Sequence, residues 1–405
     1  MWPVEGGRTP RAGAGTEWEY RGVNGFAWAT LDQLRSRTSL KWRRYGEAVL
    51  PLWVAEMDAL LAPVVREALE DVLARGDTGY PWGAGYAEAY RGFARERWGW
   101  DVAGPPAVAL VPDVMHGVAE ALALLGGPGD PVVVTPPVYP PFFAVAARAG
   151  RPVVEAPLDP RGRLDPGSLA SALARAAAAS PRATLLLSNP HNPTGTVPTG
   201  DELTRVAALA RAHGVAVISD EIHSPLVLAG ARFTPYLSLE GTEDALAVVS
   251  ASKGWNLAGL KAALLIAGPA RVPDLARIPE SVAHGAGHVA AIAHGAAFAA
   301  GGPWLDELLG ALEENRRLLG AFVGERLPGV NYRAPQGTYL AWLDCAGLGL
   351  ADPAGFFLEA AGVALSPGAD FGTGGSGAVR LNFATSPAIL IEALERMAGA
   401  LARRR

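Results

Sequence analysis

Short apolar runs alternate with alanine-rich segments through the middle of this 405-residue chain, and that alternation narrows the possible folds more than any other feature. The runs consist mainly of valine, leucine and isoleucine, as expected for strands that are buried on both faces. Thr199 and Glu202 form a capping-box pattern at the start of one intervening segment and Gly214 ends it, so these segments are predicted helices. The runs are PVVV (131–134), TLLLS (184–188), VAVIS (215–219), ALAVVS (245–250) and AALLIA (262–267). The alternation predicts an α/β fold, a doubly wound domain whose mostly parallel sheet is flanked by helices.

The regular alternation of predicted strands and helices ends after Pro303. A long amphipathic helix is predicted over residues 304–327, and strand-like and helical segments follow it in irregular order, which is typical of a smaller α+β domain. The first residues are rich in glycine, proline and arginine and predict a flexible arm. We divide the chain into the arm (1–16), an N-terminal segment that packs with the small domain (17–52), a large α/β domain (53–302) and the small C-terminal domain (303–405).

The charge of the chain argues against nucleic acid and membranes as partners. The net charge is −5, and the sequence has no basic run apart from the terminal Arg403 to Arg405. The sequence lacks an apolar core of signal-peptide length and a stretch able to span a bilayer. The most nearly apolar stretch, residues 282–302, predicts a tightly packed buried helix pair instead. A cytoplasmic enzyme with a small-molecule substrate is therefore expected.

A metal site is also not expected. Cys345 is the sole cysteine, which excludes an intramolecular disulfide and any site with several cysteine ligands. His284 and His288 lie four residues apart on a predicted helix, a spacing that can bind zinc. No third ligand follows them at a suitable distance, so packing or polar contacts near a subunit interface are the predicted role.

Polar clusters follow three of the predicted strands. NPHNPTG (189–195) follows TLLLS, DEIH (220–223) follows VAVIS, and ASKGWNLAGLK (251–261) follows ALAVVS. The carboxyl ends of parallel strands share one edge of a sheet, so these clusters are predicted to converge there. Asp220 and Glu221 come directly after an apolar strand, where a buried carboxylate is costly unless it meets a cation.

Two of the three lysines in the chain, Lys253 and Lys261, lie in the last of these clusters, although the chain holds 32 arginines. An amine can lose its proton and attack a carbonyl carbon, whereas a guanidinium stays protonated. Burial at the strand end would lower the pKa of Lys253 and favour that chemistry. The chain offers no pair of excess cations for both acids, but a bound cofactor could supply positive charge.

Four motifs together resemble the fold-type I pyridoxal-phosphate (PLP) enzymes of the class I/II aminotransferase superfamily. They are NPHNPTG, SDEIH (219–223), SASKGWNLAGLK (250–261) and VRLNFAT (379–385), in the order and approximate spacing of that family, over roughly residues 45–400. The resemblance implies PLP as the cofactor, Lys253 as the Schiff-base lysine, and Asp220 as the partner of the pyridine nitrogen. The alternative roles are a surface salt bridge for Lys253 and a helix cap for Asp220.

The resemblance also implies the remaining contacts to the cofactor ring. Asn192 would donate to the phenolic oxygen, His223 stands where aspartate-type aminotransferases have a tyrosine on that oxygen, and Tyr139 would stack on the ring. A turn-forming role for Asn192 and core packing for Tyr139 stay open.

For the cofactor phosphate, the family pattern implies backbone amides at a helix start and a set of polar side chains. The residues are Val114, Met115, Ser250, Ser252 and Lys261. Asp113 stands where the family more often has a small residue, and we expect it to cap its own helix. Tyr80 matches the tyrosine that reaches the phosphate from the neighbouring subunit, which implies a homodimer with shared active sites; a surface turn is the alternative.

The substrate contacts implied by the resemblance begin with Arg380, whose planar fork suits the α-carboxylate, together with Asn192. A solvated strand edge is the alternative for Arg380. LPLWVAEMD (50–58), GYPWG (79–83) and DEIHSPL (220–226) resemble the subgroup of cystathionine β-lyases and cysteine-S-conjugate β-lyases, which implies that Trp53 and Ala55 line the substrate site. The subgroup commonly has an acidic residue at the position of Pro225.

The subgroup resemblance implies a carbon–sulfur β-lyase that eliminates a thiol from an amino acid and yields pyruvate and ammonia. An aminotransferase is the alternative, because the two reactions differ in the fate of one proton. A regulatory PLP-binding protein is less favoured, since only about fifty residues precede the motif region, too few for a DNA-binding domain. The distal part of the substrate is not specified by the sequence.

Overall fold

The computed structural model describes residues 26–404, so the predicted arm and residues 17–25 of the predicted N-terminal segment lie outside the described residues. The helices are α1 Leu31–Ser36, α2 Leu40–Arg43, α3 Pro63–Ala74, α4 Ala84–Trp98, α5 Val114–Leu125, α6 Pro141–Arg148, α7 Pro166–Ala179, α8 Gly200–His213, α9 Val272–Leu275, α10 Glu280–His284, α11 His288–Ala300, α12 Gly302–Arg326, α13 Pro353–Ala361 and α14 Pro387–Arg404. The strands are β1 Leu50–Pro51, β2 Val108–Val111, β3 Val132–Val134, β4 Val153–Glu155, β5 Thr184–Ser188, β6 Ala216–Asp220, β7 Leu246–Val249, β8 Ala263–Ala267, β9 Asn331–Tyr332, β10 Leu340–Asp344, β11 Val363–Ala364, β12 Ser366–Pro367 and β13 Ala378–Asn382.

The described residues contain a central seven-stranded sheet in the order β2-β8-β7-β6-β5-β3-β4. Strands β3 to β7 pair in parallel, and every residue of β5 to β8 is buried. All five predicted runs form strands of this sheet, and the α/β prediction is confirmed.

One of the five runs forms an antiparallel strand within the mostly parallel sheet. The run AALLIA forms β8, which is antiparallel to both β7 and β2. The residues between β7 and β8 form turns and no crossover helix, so the chain reverses directly into its neighbour. Lys253 lies on this reversal.

Helices cover both faces of the sheet. Alternate residues of β5 point in opposite directions: Leu186 belongs to the apolar cluster that contains α5 and α6, whereas Leu185 and Leu187 belong to the cluster that contains α7 and α8. This burial on two sides explains why the strand sequences are apolar throughout rather than alternating.

A second, antiparallel sheet has the order β12-β13-β10-β9 and lies with α12, α13 and α14 in the C-terminal part. Strand β1 pairs in parallel with β11, so residues 50–51 are hydrogen-bonded to the C-terminal part of the chain at residues 363–364. That pairing supports the idea that the N-terminal segment packs with the small domain. The four-part division itself stays a prediction.

The predicted buried helix pair over residues 282–302 is wrong for its first helix. All residues of helix α10 are at least part-exposed. Helix α11, in contrast, buries His294 and several alanines. In residues 26–404, no helix combines the length and the apolar character that a membrane crossing requires.

Candidate functional site

The three polar clusters meet at the carboxyl edge of the central sheet. In the strand register, Ser188 of β5 lies beside Asp220 of β6, and Asp220 lies beside Val248 of β7. The Asn189 amide donates to the Asp220 carbonyl at 2.9 Å, which continues the ladder into the NPHNPTG loop. Parallel strand order thus brings together residues that lie about thirty positions apart in sequence.

Asp220 is a buried acid without an ion pair in the described part of the chain. It is the last residue of β6 and is 5 % exposed. Burial raises the pKa of its carboxyl group to about 7, although the Ile222 amide, 3.1 Å from Oδ1, and the charge of Lys253 act against that shift. A cation placed against this carboxylate would therefore be strongly favoured.

Glu221 is the next residue, but its surroundings are structural. Oε1 accepts from the Tyr236 amide at 2.7 Å, from the Ser219 hydroxyl at 3.0 Å and from Asn189 at 3.5 Å. Burial raises the pKa of Glu221 to about 7, and Oε2 has no partner among the described residues. The sequence assigned no role to Glu221, which here fastens the Asn189 loop to the sheet.

Lys253 lies close enough to Asp220 for the two charges to influence each other. Its amine donates to the Ala55 carbonyl at 2.7 Å. Burial, reinforced by the positive charges of Arg380 and Lys261, lowers the pKa of this amine to about 8. A substantial neutral fraction near pH 8 is what a nucleophilic or basic amine requires.

Arg380 comes from β13 of the second sheet and is 6 % exposed. Nη1 donates to Asn192 Oδ1 at 3.0 Å, and Nη2 donates to the Trp53 carbonyl at 3.0 Å and to the Ser366 hydroxyl at 3.2 Å. Burial lowers the pKa of the guanidinium to about 10, so it stays charged at neutral pH. Nε has no acceptor and no carboxylate pairs with this group within residues 26–404, which suits recognition of an anionic ligand.

A segment that we call the strap, residues 53–58, connects these groups. The strap is irregular in conformation, and its carbonyl groups accept hydrogen bonds mainly from side chains. The donors are Arg380 and Ser366 to Trp53, Asn382 to Val54 and Glu56, Lys253 and Tyr339 to Ala55, Lys41 to Glu56, and Asn256 and Arg37 to Met57. Buried carbonyl groups need such partners wherever a strand ladder is absent.

His223 and Tyr139 are uncharged groups of the same region. His223 is 3 % exposed and its Nδ1 has no partner among the described residues. Burial, together with the charges of Lys253 and Arg380, lowers the pKa of His223 well below its ordinary value. Burial also raises the pKa of Tyr139, whose ring is part-exposed and packs edge-on against Phe142.

The start of α5 carries the amides of Val114 and Met115, which precede the first intrahelical hydrogen bond. Asp113 is the N-cap and accepts from the His116 amide at 2.9 Å, so the cap predicted for it is present. The other oxygen of Asp113 lies 3.2 Å from the Lys261 amine. Burial acts to raise the pKa of Asp113, but the hydrogen bonds from His116 and Lys261 outweigh it and lower the pKa.

The two serines predicted beside the phosphate differ in their surroundings. The Ser250 hydroxyl is buried and donates to the Ala262 carbonyl at 2.9 Å, and it accepts from the Ser252 amide at 3.2 Å. Ser252 is part-exposed. Ser250 thus shapes the turn that carries Lys253, while Ser252 has the more accessible hydroxyl.

Tyr80 is the predicted site residue that the single chain does not bring to the others. It lies in the loop between α3 and α4, is 79 % exposed, and has its ring centre 4.8 Å from that of His284. His288 contacts Asp77 at 3.1 Å. Across residues 26–404, histidine, cysteine and acidic side chains form no group of three that could hold a metal ion.

The comparison with known families agrees with this geometry. The family described as aminotransferase class I and II matches residues 49–397, which is most of the chain. The chain belongs to the class I and II aminotransferase family.

Relatives within this class I and II family resemble the chain over nearly its full length. A Mycobacterium leprae (strain TN) protein, provisionally named cystathionine beta-lyase, is 56 % identical and covers 92 % of this chain and 97 % of its own. Cystathionine beta-lyase PatB of Bacillus subtilis (strain 168) is 36 % identical, over 90 % of this chain and 96 % of its own. A crystal structure from Corynebacterium diphtheriae, provisionally described as a PLP-dependent beta-cystathionase, has a TM-score of 0.88 at 33 % identity and covers 93 % and 99 % of the two chains.

Several residues that hold the site of this family member were not predicted. Asn256 and Asn382 lie inside motifs that had been singled out, and an amide side chain in an otherwise apolar stretch was the available signal. Tyr339 is fully buried and shares the Ala55 carbonyl with Lys253, but no polar cluster marks it in sequence. Pro225, where the subgroup resemblance fails, lies beside Gly254: a Cβ added there would be 3.2 Å from Pro225 Cβ.

Proposed function

We propose that this protein is a PLP-dependent carbon–sulfur β-lyase that releases a thiol, pyruvate and ammonia from an S-substituted cysteine. One observation carries the proposal. A lysine amine with a pKa of about 8 lies beside the strap WVAEMD, together with an acid and an arginine that are buried and have no oppositely charged partner within residues 26–404. The names of the relatives point to the same elimination.

The residues present fit PLP. Among the described residues, no cation pairs with the buried Asp220 carboxylate, and a protonated pyridine nitrogen would supply that charge. His223 Nδ1 and Arg380 Nε are buried without partners among the described residues, so both atoms can form hydrogen bonds to a bound ligand. Val114 and Met115 offer free amides for a phosphate. When bound, PLP supplies an aldehyde for the lysine and a ring that accepts electrons from the substrate Cα.

Lys253 has two tasks in this proposal. Its amine would hold the cofactor through the aldehyde, and as a free base the same amine would remove the proton from the substrate Cα. The Ala55 carbonyl holds the free amine in place at 2.7 Å. With a pKa of about 8, this amine accepts a proton at neutral to mildly basic pH.

The other residues orient the substrate and balance charge. Arg380 binds the α-carboxylate, and Asn192, which already contacts the same guanidinium, fixes its direction. Asp220 would hold the cofactor by its pyridine nitrogen and keep that nitrogen protonated. The bond between Cβ and sulfur then breaks, its electron pair and a proton leave with the thiol, and the three-carbon remainder takes up water to give pyruvate and ammonia.

The decisive experiment measures thiol and pyruvate release from cystathionine with no keto acid added. We expect equal amounts of both products from the wild type, loss of release in Lys253→Ala, and a visible cofactor band that borohydride abolishes. Lys261→Ala, the matched loss of an exposed amine, should keep measurable release. Turnover that strictly requires a keto-acid acceptor would make the protein an aminotransferase instead.

The homodimer with shared active sites is part of the same proposal. Tyr80 and Trp82 are 79 % and 86 % exposed in the isolated chain, and large aromatic side chains that are this exposed favour an interface. A partner subunit seated on this loop would bring Tyr80 to the phosphate of the other site. We place the protein in the cytoplasm, as its sequence suggests.

A further inference from the structure

Lys41 is the remaining lysine of the three in the chain. It lies outside the proposed cofactor site and is fully buried. Its amine is 2.8 Å from Asp58 Oδ1 and donates to the Glu56 carbonyl at 3.0 Å. Trp42 Nε1 donates to the same Asp58 oxygen at 2.9 Å. Helix α2 thus presents two consecutive donors to the end of the strap.

Stability alone does not explain this ion pair. Both side chains are 0 % exposed, and burying two charges costs about as much free energy as their attraction returns. Asp58 Oδ2 has no partner among the described residues, which adds to the cost. Apolar residues would fill the same space at least as favourably, so a positional role is the better account.

The choice of lysine in an arginine-rich chain points the same way. The Lys41 ammonium bonds to the side chain of Asp58 and to the main chain of Glu56, two residues earlier. A compact ammonium group donates in separate directions, whereas a guanidinium donates in one plane. Lysine therefore fixes the distance between the strap backbone and the Asp58 side chain.

The strap transmits this position to the reacting groups. Ala55 lies one residue before Glu56, and its carbonyl accepts from Lys253 at 2.7 Å. Trp53 lies two residues further back, and its carbonyl accepts from Arg380 at 3.0 Å. Since the strap has no strand ladder of its own, a shift at its end would displace both acceptors.

We propose that the buried Lys41–Asp58 ion pair is a positioning device that sets the strap, and through it the Lys253 amine and the Arg380 guanidinium. The inference rests on the proposed lyase function. Lys41 and Asp58 act through the strap and touch neither substrate nor cofactor.

The first test is the double variant Lys41→Met/Asp58→Leu, which removes both charges and leaves neither unpaired. We expect a folded protein whose affinity for PLP is within about threefold of the wild type, because no proposed PLP ligand changes. The value of kcat/KM for cystathionine should fall by about 10- to 100-fold, as expected for reacting groups displaced by less than an ångström or so. Arg326→Met/Glu395→Leu is the matched control, since it removes an ion pair between α12 and α14 and should leave kcat/KM unchanged.

The second test needs no turnover. In the full chain freed of PLP, the rate of acetylation of Lys253 is compared with that of Lys261 by mass spectrometry across pH. In the double variant, Lys253 should lose the Ala55 acceptor that favours its charged form, so its relative rate should rise at least about twofold and its midpoint should move to lower pH.

Two outcomes would overturn the proposal. Unchanged kcat/KM with unchanged labelling would show that the strap does not depend on the pair, and failure of the double variant to fold would make the pair a stability element. Absence of pyruvate release from the wild type would instead count against the lyase function, and the labelling comparison would still decide the role of the pair.

Discussion

Asp220 and Glu221 are consecutive acids whose pKa values are both raised to about 7 by burial, yet their hydrogen bonds differ. The Glu221 carboxyl group accepts from a backbone amide and two side chains, whereas the described partner of the Asp220 carboxyl group is the single Ile222 amide. At the scale of residues, the acid with few partners is the one that we assign to a ligand. The acid with many partners belongs to the scaffold.

Glu221→Gln should therefore change how stability depends on pH. The amide keeps an oxygen for the Tyr236 amide but cannot ionise. Glu221 has a folded-state pKa of about 7 against an ordinary 4.5, so its neutral form is favoured by folding and that stability is lost as pH rises from about 4.5 through about 7. Wild type should thus lose free energy of unfolding relative to the variant between pH 5 and pH 8, measured by urea unfolding of the PLP-free protein. Glu240→Gln, at an exposed position, should show no such divergence, and equal pH profiles for wild type and Glu221→Gln would contradict the prediction.

The predictable residues are those whose chemistry departs from their surroundings in sequence. Lys253 and Asp220 stand out because a rare amine and an acid follow apolar strands. Tyr339 does not stand out, since a tyrosine beside an apolar strand looks like core, and only the fold brings its hydroxyl to the Ala55 carbonyl. Long-range convergence of this kind leaves no periodic signal.

At the scale of elements, α5 meets the reversal between β7 and β8 where Asp113 contacts Lys261. Asp113 has two roles there: it caps the helix through the His116 amide, and it places a carboxylate beside the amides proposed to bind the phosphate. The first role stabilises the element, while the second opposes binding of an anion.

Asp113→Ser should separate these roles. Serine caps a helix about as well as aspartate, so folding should be unaffected. Loss of the carboxylate frees Lys261 and should strengthen PLP binding by about three- to tenfold, the size expected for one partly exposed charge. Fluorescence titration of the PLP-free protein measures this. Asp165→Ser, the same exchange at the N-cap of α7, should leave PLP affinity unchanged, and weaker binding in Asp113→Ser would refute the phosphate assignment of this element.

Element boundaries were predictable where period and caps agreed, as for α8, where the capping box and Gly214 mark both ends. The direction of β8 was not predictable, because a continuous apolar run is compatible with a parallel or an antiparallel buried strand. The strap was recognised as a motif but not as a structure, since its conformation depends on donors from other parts of the chain.

At the scale of the whole molecule, the proposal of shared sites concerns Tyr80, which is largely exposed in the single chain. If each site takes Tyr80 from one subunit and Lys253 from the other, two inactive variants can complement each other. Co-expression tests this directly.

Lys253→Ala and Tyr80→Ala, co-expressed in equal amounts, should recover about a quarter of wild-type activity, because half of the dimers are mixed and each mixed dimer has one intact site. Lys253→Ala with Asp220→Asn is the control: both residues belong to the same subunit's site, so no intact site forms. The measurement is acceptor-free pyruvate release together with molar mass by light scattering. A monomeric mass, or no recovery in the first pair, would exclude shared sites.

The strap also has a consequence for biosynthesis. Trp53 and Arg380 are 327 residues apart, and Val54 and Asn382 are 328 apart, so a ribosome releases the acceptors long before it releases the donors. During translation, the central sheet is complete once residue 267 has emerged, while the Trp53 and Val54 carbonyls still lack their side-chain donors. Nascent chains that end before residue 380 would therefore contain the whole lysine-bearing sheet and still lack a formed active site.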